Sequence, residues 1–200
     1  DSRGMFEAAF DGRGVGMETV SKALASYQRT LVSGNSAFDR WYYAGIGNAL
    51  SASAKRGFRL FSGKAGCASC HTLNDKYALL TDNQLHNTGM GYRESMGIRS
   101  ATERIVLAPG VFVDVDRDII DSVGHPPPAD VGLYEVTQNP HDRWKYRTPG
   151  LRNVALTAPY MHNGSLSNLR DVVEFYNEGG GPNELLDPRV RPLGLSAQEI

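Results

Sequence analysis

The chain has 200 residues, enough for one domain or for one domain with part of another, and its formal net charge is −1. That balance gives no bulk pull toward nucleic acid or an anionic membrane, and no apolar run approaches the length of a membrane span. Twenty-two glycines and 10 prolines predict long loops, and two cysteines only two residues apart exclude a disulfide framework.

The first helix is predicted over 18–31, where Val20, Ala23, Leu24, Tyr27 and Leu31 share one face. Residues 32–49 read as a loop rich in Gly, Asn, Ser and aromatics. Ser51 or Ser53 can cap a second helix that carries Ala54, Phe58 and Phe61 and ends near Gly63. Residues 74–150 read as mostly irregular, with a β-prone stretch at 111–115 and a break at Pro126, Pro127 and Pro128. So long a loop region is more often functional than idle. A third helix is expected from about Asn168 to Asn177, with Leu169, Val172, Val173 and Tyr176 on one face and Gly179, Gly180 and Gly181 as its stop. Ser196 with Glu199 forms a capping box that opens another helix, so the chain is expected to continue beyond Ile200.

Between the second helix and the long loop region lies Cys67-Ala-Ser-Cys70-His71. Two thiols at this spacing can add to the two vinyl groups of one haem, and the adjacent histidine can reach its iron. Rival chemistries fit less well. A thioredoxin-like dithiol wants a βαβ context, and no strand pattern feeds this site. A zinc site needs two further ligands at matching spacing, and His86 stands without a paired partner. A disulfide across two residues would be strained. Covalent haem attachment in bacteria is done outside the cytoplasm, which predicts a mature, periplasmic product. The fold expected is all-α: a cytochrome c-like haem domain with long irregular loops.

Six-coordinate iron needs a ligand opposite His71. Met90, Met96, Met161, His86, His162 and Tyr176 are candidates, and spacing does not choose among them. Methionine would raise the iron potential, whereas an anionic tyrosinate would favour the more highly charged iron.

Longer strings carry more information. Tyr27-Gln-Arg-Thr-Leu-Val-Ser-Gly-Asn-Ser-Ala-Phe-Asp-Arg40, the Leu60–His71 segment, His86-Asn-Thr-Gly89 and Tyr146-Arg-Thr-Pro-Gly-Leu-Arg-Asn-Val-Ala-Leu-Thr-Ala-Pro-Tyr-Met-His-Asn-Gly164 occur in that order. Together they resemble the bacterial di-haem cytochrome c peroxidase family, including its MauG-like branch. The resemblance implies two haems in the whole protein, of which this chain carries the motif for one. Residues 1–50 resemble the tail of the N-terminal haem domain, and residues 51–200 the C-terminal haem domain without its last helix.

Several roles follow by resemblance. Peroxidase members have a methionine at the position occupied here by Tyr176, and MauG-like members a tyrosine, so Tyr176 is the implied axial ligand, with Met161 or Met90 as alternatives. The backbone carbonyls of Thr157 and Pro159 match those that hold a calcium ion between the haems. Arg152 is a candidate partner for a haem propionate, and His162 for a propionate or interface hydrogen bond. Where relatives carry a glutamate in the peroxide pocket of the other haem, this chain has Gln28, and Glu18 on the same predicted helix is the substitute acid. His86 reads as a loop residue near the haem, and His125 and His141 as exposed loop residues. Trp41, Trp144, Tyr42, Tyr43 and Tyr160 could support electron hopping, and 97–145 could shape a partner surface. The function implied is a peroxide-using oxidoreductase that oxidises a protein or aromatic substrate at a distance, this chain's haem being the relay. The alternatives are a cytochrome c peroxidase fed by a small cytochrome or cupredoxin, and a single-haem electron-transfer module. Implied partners are hydrogen peroxide, the N-terminal haem domain, and a protein substrate or small electron donor.

Overall fold

The structure, a computed structural model, describes residues 2–98, 101–108, 111–124 and 129–200. Its first segment is helical: α1 spans Ser2–Ala9, α2 Met17–Thr30 and α3 Ala37–Tyr42. Gly16 and Thr19 close the start of α2, the Gly16 amide donating to Thr19 Oγ1 at 3.0 Å. The apolar face expected on α2 is present but uncovered, with Leu24, Tyr27 and Leu31 exposed at 56%, 62% and 61%. Helix α3 lies inside the region expected to be loop; Ser36 caps it by accepting the Asp39 amide, and Asp39 bonds back to the Ser36 amide.

Helix α4 runs Ala52–Ser62, with Ser51 as its cap and Gly63 as its stop. A Cβ on Gly63 would sit 2.8 Å from the Arg59 carbonyl, so the chain can leave the helix here only as glycine. The Cys67–His71 turn follows. Strand β1 (Leu85–His86) and helix α5 (Met90–Ser95) come next, then strands β2 (Thr102–Ala108) and β3 (Val111–Asp116), and helices α6 (Arg117–Val123) and α7 (Tyr134–Thr137). Strand β4 (Tyr146–Arg147) and helix α8 (Leu169–Asn177) complete the order.

The all-α expectation is therefore corrected. Helix accounts for 38% of the chain and strand for 11%, in two small sheets, so the fold is mixed α and β. Strands β1 and β4 pair antiparallel, Leu85 with Arg147 and His86 with Tyr146, and so tie the segment after the cysteines to the segment before α8. Strands β2 and β3 form an antiparallel hairpin with a register shift at Val106/Ala108. Only the 111–115 half of that hairpin was expected. The other half mixes Glu103 and Arg104 with apolar residues, and the Arg104–Asp114 fork at 2.7 and 2.6 Å satisfies those charges across the pair. His125 and the Pro126–Pro128 break lie outside the described residues.

Among the described residues, the buried apolar side chains are Ala78, Met90, Phe175 and Leu195. Two glycine-bearing loops meet beside Phe175. Gly181 donates its amide to the Thr88 carbonyl at 3.1 Å, and a Cβ on Gly181 would lie 2.3 Å from the Gly89 carbonyl oxygen. The end of α8 is thereby pressed against the His86–Gly89 segment.

Candidate haem site

The cysteine motif occupies one tight turn. Gly66 enters it at φ +65°, a left-handed conformation that glycine adopts cheaply. The amides of Cys70 and His71 then both donate to the Cys67 carbonyl, at 3.3 and 3.0 Å. Both thiols and the imidazole thus project from one turn of backbone. The cysteines are free and half-buried, and burial pushes both thiols above their ordinary pKa, so they are protonated at neutral pH.

His71 Nδ1 lies 2.8 Å from the Leu80 carbonyl oxygen. With Nδ1–H donating there, Nε2 keeps its lone pair. Burial lowers the proton affinity of the ring, which favours the neutral form that a metal requires. Tyr176 stands on the last turn of α8. Burial pushes its phenol up to about 12, helped by the charges of Cys67 and Cys70 and opposed by hydrogen bonding with the Thr88 side chain.

The other ligand candidates stand in different settings. Met90 is buried, and its sulfur accepts the Ser165 hydroxyl at 3.3 Å. Met96 is exposed, and Met161 is half-buried at φ +71°. The His162 ring stacks on Tyr146 with centroids 3.7 Å apart, its Nε2 is 3.6 Å from Glu94, and burial lowers its pKa.

A polar cluster borders Cys70. His86 is clasped by two carboxylates, Nε2 at 2.9 Å from Asp82 and Nδ1 at 2.8 Å from Asp187. Arg189 forks onto Asp187 at 2.8 and 3.0 Å and holds that carboxyl well below the usual range. Burial alone would raise Asp82, but the Gln84 amide and the His86 ring hold it down to about 2. Ligand atoms of Cys70, Asp82 and His86 lie within 4.8 Å of one another. Sequence reasoning had His86 near the motif but missed Asp82, Asp187 and Arg189. The separation of 101 residues between His86 and Asp187 leaves no local signal.

Arg152 is held by protein partners. Its two terminal nitrogens donate to Asp39 at 2.7 Å each, and Nε donates to the Ala78 carbonyl at 2.7 Å. Gln28 and Arg152 line a cleft of about 880 Å³ between the end of α2 and residues 76–79, together with Arg29, Lys76 and Arg147. Glu18 is exposed and pairs with Lys22 and Arg13, which hold its carboxyl below the ordinary range. It lies about 15 Å from Gln28 along α2, so the structure does not bring the two together. The Thr157 and Pro159 carbonyls accept no hydrogen bond among the described residues. His141 is exposed, and Trp144 donates to the Ser95 hydroxyl at 2.9 Å beneath Tyr92.

This donor set fits a covalent haem. Two free thiols separated by two residues and an imidazole anchored at Nδ1, with Nε2 left for a metal, stand on one turn of the chain.

Comparison with known proteins points the same way. A family model described as di-haem cytochrome c peroxidase matches residues 1–46. A protein named cytochrome-c peroxidase IdrP1 from Pseudomonas sp. (strain SCT) is 38% identical over 200 residues, covering 97% of this chain and 49% of that protein. The methylamine utilization protein MauG of Methylorubrum extorquens is 34% identical over 185 residues, covering 92% of this chain and 42% of its own length. The crystal structure of a MauG-like protein associated with microbial copper homeostasis superposes with a TM-score of 0.64 at 28% identity, over 98% of this chain and 54% of that one. The chain spans about half the length of the curated relatives it matches.

Proposed function

Because this chain belongs to the di-haem cytochrome c peroxidase and MauG family, we propose that it is the C-terminal haem unit of a peroxide-using, MauG-like oxidoreductase. The observation that carries the reading is Tyr176, a half-buried phenol on the last turn of α8, the helix whose end is pressed against the His86–Gly89 segment after the cysteine turn. In this reading Cys67 and Cys70 would form thioethers to the haem, and His71 Nε2 and Tyr176 Oη would be its protein ligands. Bound haem supplies a one-electron redox couple. The protein's part is to hold His71 by the Leu80 carbonyl and to present the Tyr176 phenol, which as a ligand would give its proton to solvent.

Tyr176→Phe in the intact holoprotein tests the assignment. Its optical and EPR signature should differ from the parent, and an unchanged spectrum refutes Tyr176 as ligand, leaving Met161 or Met90.

Residues 1–50 belong, on this reading, to the N-terminal haem domain, and the uncovered Leu24, Tyr27 and Leu31 face of α2 packs within it. Peroxide reacts at that other haem, near Gln28, and the substrate is a protein or aromatic group oxidised at a distance. The Thr157 and Pro159 carbonyls are free to hold calcium at the junction. The compartment is the periplasm; no described helix is long and apolar enough to cross a membrane.

A second reading is an ordinary cytochrome c peroxidase fed by a small cytochrome or cupredoxin. It is favoured by the 38% identity to cytochrome-c peroxidase IdrP1 of Pseudomonas sp. (strain SCT), against 34% to MauG of Methylorubrum extorquens. Steady-state turnover with peroxide and reduced cytochrome separates the two, since rapid turnover supports the second and slow turnover with long-lived oxidised states the first.

A further inference from the structure

We propose that the 193–199 segment is a strap that holds Tyr176 in place as a haem ligand, with Asn177 as the positioning residue. This rests on the reading that Tyr176 ligates a haem carried by Cys67, Cys70 and His71. Tyr176 is the next-to-last residue of α8, so its position depends on where that helix ends. Asn177 makes three hydrogen bonds to the returning chain. Its backbone carbonyl, one of the acceptors that a helix end leaves without a partner, takes the Leu193 amide at 3.2 Å. Its Oδ1 takes the Leu195 amide at 2.7 Å, and its Nδ2 donates to the Leu195 carbonyl at 3.1 Å. This two-point clamp needs a donor and an acceptor on one short side chain, and an ionised aspartate has no donor to offer. Leu195 is buried, which shelters both bonds from water. Pro192 closes over the turn that follows the helix, where a Cβ on Gly179 would lie 2.8 Å from its Cδ.

The far end of the strap is tied to the approach of the cysteine turn. Glu199 accepts from the Lys64 ammonium at 2.7 Å and from the Ser196 amide at 2.9 Å, and these donors hold its carboxyl down to about 2. Lys64 stands between the end of α4 and Cys67. One short segment therefore runs from the residue beside Tyr176 to the turn that presents both thiols and His71. The relative position of those two parts decides whether one iron can take both His71 and Tyr176. The other polar side chains of α8 serve the helix itself: Asn168 and Asp171 close its start, and Arg170 pairs with Glu174.

A side chain that supports a metal ligand from outside sets how firmly that ligand is held, and losing one typically costs tenfold or more in affinity. A Tyr176 on a loosened helix end leaves the iron more often, and an external anion then takes its place.

Cyanide displacement in the intact ferric holoprotein tests the strap. The EPR signal that disappears in Tyr176→Phe identifies the haem ligated by Tyr176, and its decay after mixing with excess cyanide gives the displacement rate. Asn177→Leu keeps the size of the side chain and removes both of its hydrogen bonds, and should speed displacement about tenfold. Lys64→Met frees the far end and should speed it about twofold to threefold, because an exposed ion pair contributes less. Arg104→Gln, in the β2–β3 hairpin, should leave the parent rate. A parent rate in Asn177→Leu overturns the strap even if thermal stability falls, since Asn177 then serves folding alone. If Asn177→Leu does not fold, a parent rate in Lys64→Met overturns it instead. Equal acceleration by Arg104→Gln also overturns it, as a general loosening. Each of these results leaves Tyr176 as the ligand, whereas an unchanged EPR spectrum in Tyr176→Phe removes the ligand and the strap's role together.

Discussion

Arg152 shows how far a single residue can be read without its surroundings. The sequence offered a guanidinium in a segment expected near the haem, and a propionate was its obvious partner. In the structure both terminal nitrogens are taken by Asp39, 113 residues away, and the pair is largely buried at 19% and 16% side-chain exposure. No local pattern links such residues. Removing one partner leaves the other desolvated, so Arg152→Ala should cost about 2 kcal/mol at pH 7 in urea unfolding. The Arg152 hydrogen bonds also hold Asp39 far below the usual carboxylate range. A carboxyl whose pKa is lowered on folding binds its proton more readily in the unfolded chain. Its contribution is complete above the unfolded value of about 4 and is lost as pH falls through the folded value. The stability gap between the parent and Asp39→Asn should therefore close progressively below about pH 4. Unfolding curves collected from pH 6 to pH 2 check this; a gap independent of pH would contradict it. Asp82, held down to about 2, adds a loss of the same sign over about pH 4 to 2.

At the scale of elements, legibility followed length and periodicity. The helices expected over 18–31, after Ser51 and at 168–177 are α2, α4 and α8, because each has a repeating apolar face and a cap. Helix α3 has six residues, too few for a period to register, although Ser36 with Asp39 three residues later was a usable start signal. Strand β2 went unseen because its charges mask alternation, although Pro109-Gly110 between two β-prone runs is a turn signal. The glycine run after α8 was read as a stop, and its second task required three dimensions. Gly181 and Gly89 meet backbone to backbone, so no flexible side chain can yield to a new methyl group. Gly181→Ala should destabilise by about 2 kcal/mol and shift the end of α8 that carries Tyr176. Thermal unfolding together with the holoprotein spectrum would detect both effects, and an unaltered protein would show that the loops separate at little cost.

For the whole molecule, the cysteine turn, His71 and the C-terminal helix were legible because the chemistry is written in adjacent residues. What lay beyond the sequence was the scaffolding: the β1–β4 tie, the Asp82–His86–Asp187–Arg189 cluster and the Arg152–Asp39 fork, all of which join distant segments. The β2–β3 hairpin stands apart from them. Among the named elements its principal packing is between its own strands and with α6, and Leu107 and Val111 remain exposed. A protein built this way is modular in an evolutionary sense. Residues 99–124 can be lengthened, shortened or exchanged between relatives without retuning the iron's surroundings. Replacing 99–124 by a short Gly-Ser linker should leave the haem spectrum unchanged, and a shifted spectrum would show that the two are coupled. Change would then accumulate in an appendage, where a new docking preference can be tried while the redox centre stays fixed.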